Sequence, residues 1–196
     1  MHHLYHTPAF VLNSTSFGEA NRSFRIFTKD LGLIQASAQG VRFLKSKLRY
    51  SLQDFSYSEI TVVRGKEFWR VTGAVKRESL FEILREDAPM FAVFGRVFAL
   101  LERLLSGEEK NELLFEYLEE AVHFALLKKR SPESVRNFEY ILVLRILSSL
   151  GYLGSSTDAL AFVESPYWSD ELLQRLNSVV PRILGEINKS LKESHL

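Results

Sequence analysis

LGLIQASAQGVRFLKSKLRY, residues 31–50, changes character half way along. Its first half is an apolar extended run that follows the turn signal Lys29-Asp30-Leu31-Gly32. Just upstream, Ser23 to Lys29 alternates, with Phe24 and Ile26 on one face and Arg25, Phe27 and Lys29 on the other. The two runs, Ser23–Lys29 and Leu33–Gln39, read as a hairpin. Further upstream, Ala9 to Leu12 is a brief apolar strand, and the Asn, Ser, Thr and Gly of Asn13 to Asn21 mark a loop. Downstream, Leu52 to Val63 is the longest strand, Arg64-Gly65-Lys66 turns the chain, and Glu67 to Thr72 returns as the last strand. Five short strands with turn signals between them suit a small closed barrel of the OB type better than a parallel sheet.

The second half of the stretch breaks at Gly40 and then delivers Arg42, Lys45, Lys47 and Arg49 within eight residues, with Phe43 and Tyr50 among and beside them. No acidic residue lies between Leu31 and Tyr50. Closely spaced cations with aromatic neighbours suit a polyanion whose bases are open to stacking, which describes single-stranded nucleic acid better than duplex or lipid. The expected DNA contacts are Arg22, Arg25, Lys29, Arg42, Phe43, Lys45, Lys47 and Arg49. Phosphate contact is blind to sequence, so little base preference is expected.

The totals agree with this division of labour. Net charge over the 196 residues is only +1. Residues 1–76 carry eleven Lys and Arg against five Asp and Glu, a net +6, and the rest carries 14 against 19, a net −5. A basic front and an acidic back separate polyanion binding from some other task. Hydrophobic residues make up 46% of the chain, enough for a proper core. The absence of cysteine removes disulfides, thiol catalysis and cysteine zinc sites, and fits a reducing cytoplasm. Neither a signal-peptide pattern nor an apolar run of about 18 residues is visible, so a cytoplasmic protein with no membrane partner is expected.

From Glu78 the period becomes helical. A short helix is expected over Ser79 to Glu86, ended by Asp87-Ala88-Pro89, and long ones over Pro89 to Leu105 and Glu108 to Lys129. Ser131-Pro132 starts another, which Gly151 stops. Asp158 to Val163 is a short helix, and Asp170 to Leu191 the last, kinked or broken at Pro181. The chain therefore reads as α+β: an OB-fold over 1–76, then an all-α helical domain over 77–196, with the boundary within Gly73 to Arg77.

Several residues in the front half also form a recognisable series. Phe17-Gly18-Glu19, Arg22, Phe27-Thr28-Lys29, Gly32, Ala38, Gly40-Val41-Arg42, Lys45-Ser46-Lys47 and Leu52-Gln53-Asp54-Phe55 stand in the order seen in the RecO family of recombination mediators. Phe138-Glu139 to Leu150-Gly151-Tyr152 resembles that family's helix ending in Leu-Gly-Tyr. The resemblance covers roughly residues 9–152. It implies an OB-fold and a helical domain. It also implies binding of single- and double-stranded DNA, annealing of complementary strands, contact with the C-terminal tail of the single-stranded-DNA-binding protein SSB and with RecR, and help in loading RecA. The chain departs from the pattern in three places. Gln39 stands where a basic residue is common, and Asp54 where proline is common. A four-cysteine zinc module that many relatives carry after Leu-Gly-Tyr is replaced by a loop and a final helix, so no zinc is carried over.

Bland readings compete for several residues. Phe27, Phe43 and Tyr50 either stack on bases or fill the barrel wall. His2, His3 and His6 suggest copper or nickel chelation, but a tip leading into a strand explains them better. Glu108-Glu109, Glu112, Glu116 and Glu119-Glu120 form an acidic surface without histidine partners, better suited to solubility than to metal. Lys128, Lys129 and Arg130 either compensate a helix dipole or offer a cation to an acidic partner tail. No glycine-rich phosphate loop or catalytic arrangement stands out, so a non-enzyme without cofactor or metal is expected. The alternative function is a protein–protein adaptor whose basic barrel binds an acidic protein.

Overall fold

The structure, a computed structural model, describes residues 3–154 and 157–194. The chain divides into two compact units. One runs to Arg85 and also takes in Leu105–Asn111; the other comprises Glu86–Leu104 and the chain from Glu112 onward.

The first unit is built on five strands, β1 Leu4–Phe17, β2 Asn21–Thr28, β3 Gly32–Ala38, β4 Ser56–Arg64 and β5 Trp69–Ser79, with a one-turn helix α1 Leu48–Ser51 and a short α2 Leu80–Leu84. They close into a barrel in the order β1-β2-β3-β5-β4, which is the expected OB-fold. Closure depends on β1. Its first half, Leu4 to Phe10, pairs with β4, and its second half, Ala9 to Phe17, pairs with β2. A register shift between Val11 and Asn13 bends it between the two partners. The last seam is the short parallel contact of Ala36 and Ser37 with Trp69 and Arg70. Val11, Phe24, Ile26, Ile34, Ile60, Val62, Trp69 and Val71 fill the interior, each under 5% exposed.

Three expectations need correction here, and one open choice is decided. The strand at Ala9–Leu12 extends over Leu4–Phe17, because Leu4 to Pro8 already pair with β4 and the mostly polar residues 13–17 still pair with β2. Leu52 to Phe55 is a turn rather than strand, with Phe55 at φ 64°. The boundary at Gly73 to Arg77 falls inside β5, which pairs with β4 as far as Ser79. Phe27 is wholly buried. It sits across from Phe10 and Leu33, on the opposite face of the sheet from the interior, and all three are shielded from solvent. Alternation correctly placed Phe27 away from the interior, yet that face is also covered at this end.

The segment 105–111, of which Leu105 and Glu108 to Asn111 were expected in helices on either side of a break at Ser106-Gly107, instead straps this unit. The Leu33 N–H donates to the Gly107 carbonyl at 3.1 Å, Arg64 pairs with Glu108, and Lys110 stands 3.8 Å from Asp30. Gly32 permits the approach. It sits at φ 70°, and a Cβ there would lie 2.2 Å from the Glu109 carbonyl oxygen.

The second unit is helical: α3 Ala88–Leu104, α4 Glu112–Leu127, α5 Pro132–Ser149, α6 Thr157–Val163, α7 Asp170–Leu176 and α8 Val180–Glu193. Helix α5 is the axis, buried on several sides by Phe138, Ile141, Leu142, Leu144, Ile146 and Leu147 and packed against α3, α4, α6, α7 and α8. Ser131 caps it by accepting from the Ser134 N–H, Pro132 opens it, and Gly151 at φ 77° ends it. The expected final helix is two, since Pro181 falls in the first turn of α8, where its missing N–H costs nothing.

Candidate nucleic-acid interface

Three backbone devices build the basic end of the barrel. The Arg42 N–H donates to the Ala20 carbonyl at 3.0 Å and the Gly40 N–H to Asn21 Oδ1 at 2.9 Å, which ties the 40–42 segment to the turn between β1 and β2. Gly40 makes the bend at φ 65°. From there Phe43, Ser46, Arg49 and Leu52 bond back to Gly40, Phe43, Ser46 and Leu48 in successive turns. Val41 and Leu52, buried in the core at the two ends of this run, pin it down. The cationic segment is thus an ordered chain of turns, and its charged side chains are held outward because its apolar ends are held inward.

Arg22, Arg42 and Arg49 come together around a cavity of about 380 Å³ at the barrel mouth, with Ser16, Val41 and Leu52 completing its lining. Arg22 enters from β2, on the inward-facing line between Ser16 and Ala38. Its Nε is buried and has no hydrogen-bond partner among the described residues. Among the described residues no carboxylate lines the cavity. Lys45, Lys47 and Phe43 stand on the same segment as Arg42 and Arg49, all exposed, Phe43 at 62%. Asp54, close by in sequence, is engaged by the Ser14 hydroxyl.

The other two expected contacts lie elsewhere. Arg25 is on the outer wall, between Asn13 and Gln35 in register. Lys29 follows the far end of β2, seven residues and about 23 Å of strand from Arg22. Two exposed apolar side chains were not foreseen at the basic end. Phe17, 45% exposed, sits on the turn that anchors the segment, and Leu44, 82% exposed, lies between Phe43 and Lys45. Phe17 stands in the Phe17-Gly18-Glu19 series, where Gly18 at φ 57° makes the turn.

The remaining candidates resolve separately. His6 lies in β1, its Nδ1 2.9 Å from the Thr61 hydroxyl, and His3 meets the Tyr5 ring edge-on; His2 lies outside the described residues. No group of three metal-ligating side chains occurs among the described residues, and the chain beyond Tyr152 has no cysteine to make a zinc donor set. Of the three cations Lys128, Lys129 and Arg130, Lys129 is exposed, while Lys128 and Arg130 are engaged within the helical unit. Lys128 donates to Asp170 at 2.5 Å. Arg130 lies 3.6 Å over the Phe124 ring with its side chain 2% exposed, and burial lowers its pKa. Lys128 holds the Asp170 carboxyl below the usual carboxylate range. The helical unit does offer a largely apolar cavity of about 420 Å³ between α3, α5 and α8, lined by Val97, Leu100, Val143, Leu184, Ile187 and Leu191, with Arg103 and the Arg96–Glu139 ion pair also on its wall. No helix among the described residues is long and apolar enough to cross a membrane.

A family model described as "Recombination protein O N terminal" matches residues 1–79. The "DNA repair protein RecO" of Alkaliphilus metalliredigens is 34% identical over 130 residues, 66% of this chain and 52% of that protein. The protein of the same name from Dehalococcoides mccartyi is 37% identical over 116 residues, 59% of this chain and 46% of that one. That from Heliobacterium modesticaldum is 34% identical over 149 residues, 76% and 52%. The chain spans about half the length of the curated relatives it matches.

Proposed function

We propose, on the premise that this chain belongs to the RecO family through its N-terminal domain, that it is a non-enzymatic mediator of DNA repair and recombination. It binds single- and double-stranded DNA at the mouth of the barrel and anneals complementary strands. The observation that carries this reading is the convergence of Arg22, Arg42 and Arg49 on one cavity without a carboxylate, beside exposed Lys45, Lys47 and Phe43. Neutralising phosphates on two strands lowers their repulsion, and ring contacts leave base edges free to pair. Arg25 and Lys29 would extend the track along the outer wall.

The partners follow from the same family: SSB through its C-terminal tail, RecR, and RecA indirectly. The cavity between α3, α5 and α8 supports the first, because an acidic tail with an apolar end needs an apolar slot with a cation beside it, here Arg103. Leu184→Asp should abolish binding of an SSB tail peptide in a titration; unchanged affinity would place that contact elsewhere.

Five clustered cations imply a log–log salt slope of about −3.5 for a single strand. Lys45→Glu combined with Lys47→Glu should weaken oligonucleotide binding and flatten that slope by at least about 1.4. A strand-annealing assay with and without SSB tests the activity. Unchanged affinity at low salt in the double variant would defeat the assignment and leave the adaptor reading, in which the same cations face an acidic protein.

A further inference from the structure

We propose that the arginine cavity at the barrel mouth is a site for a phosphomonoester, and so recognises the phosphorylated end of a DNA strand rather than a phosphate within it. This rests on the reading of the barrel mouth as a DNA site and adds a ligand chemistry to it.

The first argument is shape. Val41 and Leu52, 2% and 1% exposed, belong to the barrel core and also line the cavity. They close its inner end. An internal phosphodiester reaching that inner end must carry both of its ester bridges back through the mouth, which limits how deep it can sit. A terminal phosphate enters by one ester bond and needs no other.

The second argument is charge. Three guanidiniums, from Arg22, Arg42 and Arg49, face one space that no carboxylate lines. A phosphodiester brings one negative charge and two free oxygens. A phosphomonoester brings nearly two charges at pH 7 and three free oxygens, one for each arginine fork. The third argument is the orphan donor. Arg22 Nε is buried without a partner, and a buried N–H is costly to leave unmet. A phosphoryl oxygen reaching the depth of Arg22 would meet it. Ser16 adds a hydroxyl to the same lining.

The test uses the full chain and three internally labelled 20-nucleotide strands of one sequence: 5′-phosphorylated, 3′-phosphorylated, and hydroxyl at both ends. Fluorescence anisotropy at fixed ionic strength should show one or both phosphorylated strands binding about tenfold tighter than the hydroxyl-ended one at pH 7.5. The advantage should shrink as pH falls below about 6, where the dianion takes up a proton. Arg22→Gln should erase the advantage. Arg49→Gln, on the exposed α1, should do the same and keeps the test readable if the strand variant misfolds. Equal affinity for all three strands, or an advantage that survives Arg49→Gln, overturns the inference and leaves the DNA-binding reading standing. Failure of every strand to bind overturns both.

Discussion

Replacing Arg145 by methionine should cost the helical unit about 3–5 kcal/mol. Arg145 lies in α5 with 1% of its surface exposed. Its Nε donates to the Phe162 carbonyl at 3.0 Å, and its two terminal nitrogens donate to the carbonyls of Pro166 and Tyr167, each at 2.9 Å. Its guanidinium also lies 4.2 Å from the centre of the Trp168 ring. Among the described residues no carboxylate is hydrogen-bonded to it. One side chain thus organises the turn-rich 162–168 segment, which has few backbone bonds of its own. Methionine fills most of the volume but supplies no donors. The fully buried carbonyl of Phe162 loses its partner at about 1–3 kcal/mol, and the two at the edge recover part of theirs from water. The lost ring contact adds about 1 kcal/mol. The sum matches the usual cost of breaking a buried charged network. Urea unfolding followed by far-UV circular dichroism gives the stability, and Trp168 emission reports the local segment. Lysine at 145 keeps the charge but only part of the fork, and should fall between the two. A loss under about 1 kcal/mol with an unchanged urea slope would show that the three carbonyl bonds carry little of the stability. The pH dependence has a defined sign. Burial pulls the Arg145 pKa down to about 10, so above pH 10 the unfolded chain holds the proton more firmly. Stability of the wild type should therefore rise relative to Arg145→Met as pH passes through 10.

Phe43→Ala should weaken oligonucleotide binding without lowering the melting temperature, because the ring is 62% exposed. Phe27→Ala should cost about 3–5 kcal/mol, because that ring is wholly buried; equal thermal losses would show that exposure does not separate their roles. The Arg64 guanidinium holds the Glu108 carboxyl below the usual carboxylate range. Its depressed folded pKa means that the pair's contribution is present above the unfolded value of 4.5 and fades as pH falls through the folded one. The pair is half exposed, so the effect is under about 1 kcal/mol. It should appear as faster hydrogen exchange at the Leu33 amide, normalised to the intrinsic rate at each pH, and Arg64→Gln should remove the pH dependence. Gly32→Ala should destabilise the barrel by about 2 kcal/mol or more, since it strains a left-handed residue and displaces Glu109; full retention of Leu33 amide protection would contradict this.

Period and punctuation carried much of the architecture. Alternation at Phe24 and Ile26, the turn at Lys29 to Gly32 and the bend at Gly40 are local demands of the backbone, so a linear reading finds them. The same holds for Ser131-Pro132 and Gly151 around α5. The cluster of Arg42, Lys45, Lys47 and Arg49 was visible as density of charge along the chain. The strap at 105–111 was not, because its glutamates read equally well as the first turn of a helix and only the missing Cβ of Gly32 explains where the segment goes.

A basic five-stranded front and an acidic helical back are legible in the linear chain, since they depend on periodicity and composition. Tertiary structure alone decided which cations act together. Arg22 is twenty residues from Arg42, and closing the barrel brings their guanidiniums to one mouth. Lys29, seven residues from Arg22, is carried to the far end of the strand. It also decided which aromatic ring is available. Phe27 and Phe43 have the same chemistry, but one lies on a wall covered on both faces and the other on a segment pinned only by its ends. Burial and convergence are sums over contacts distant in sequence, and no local pattern encodes them.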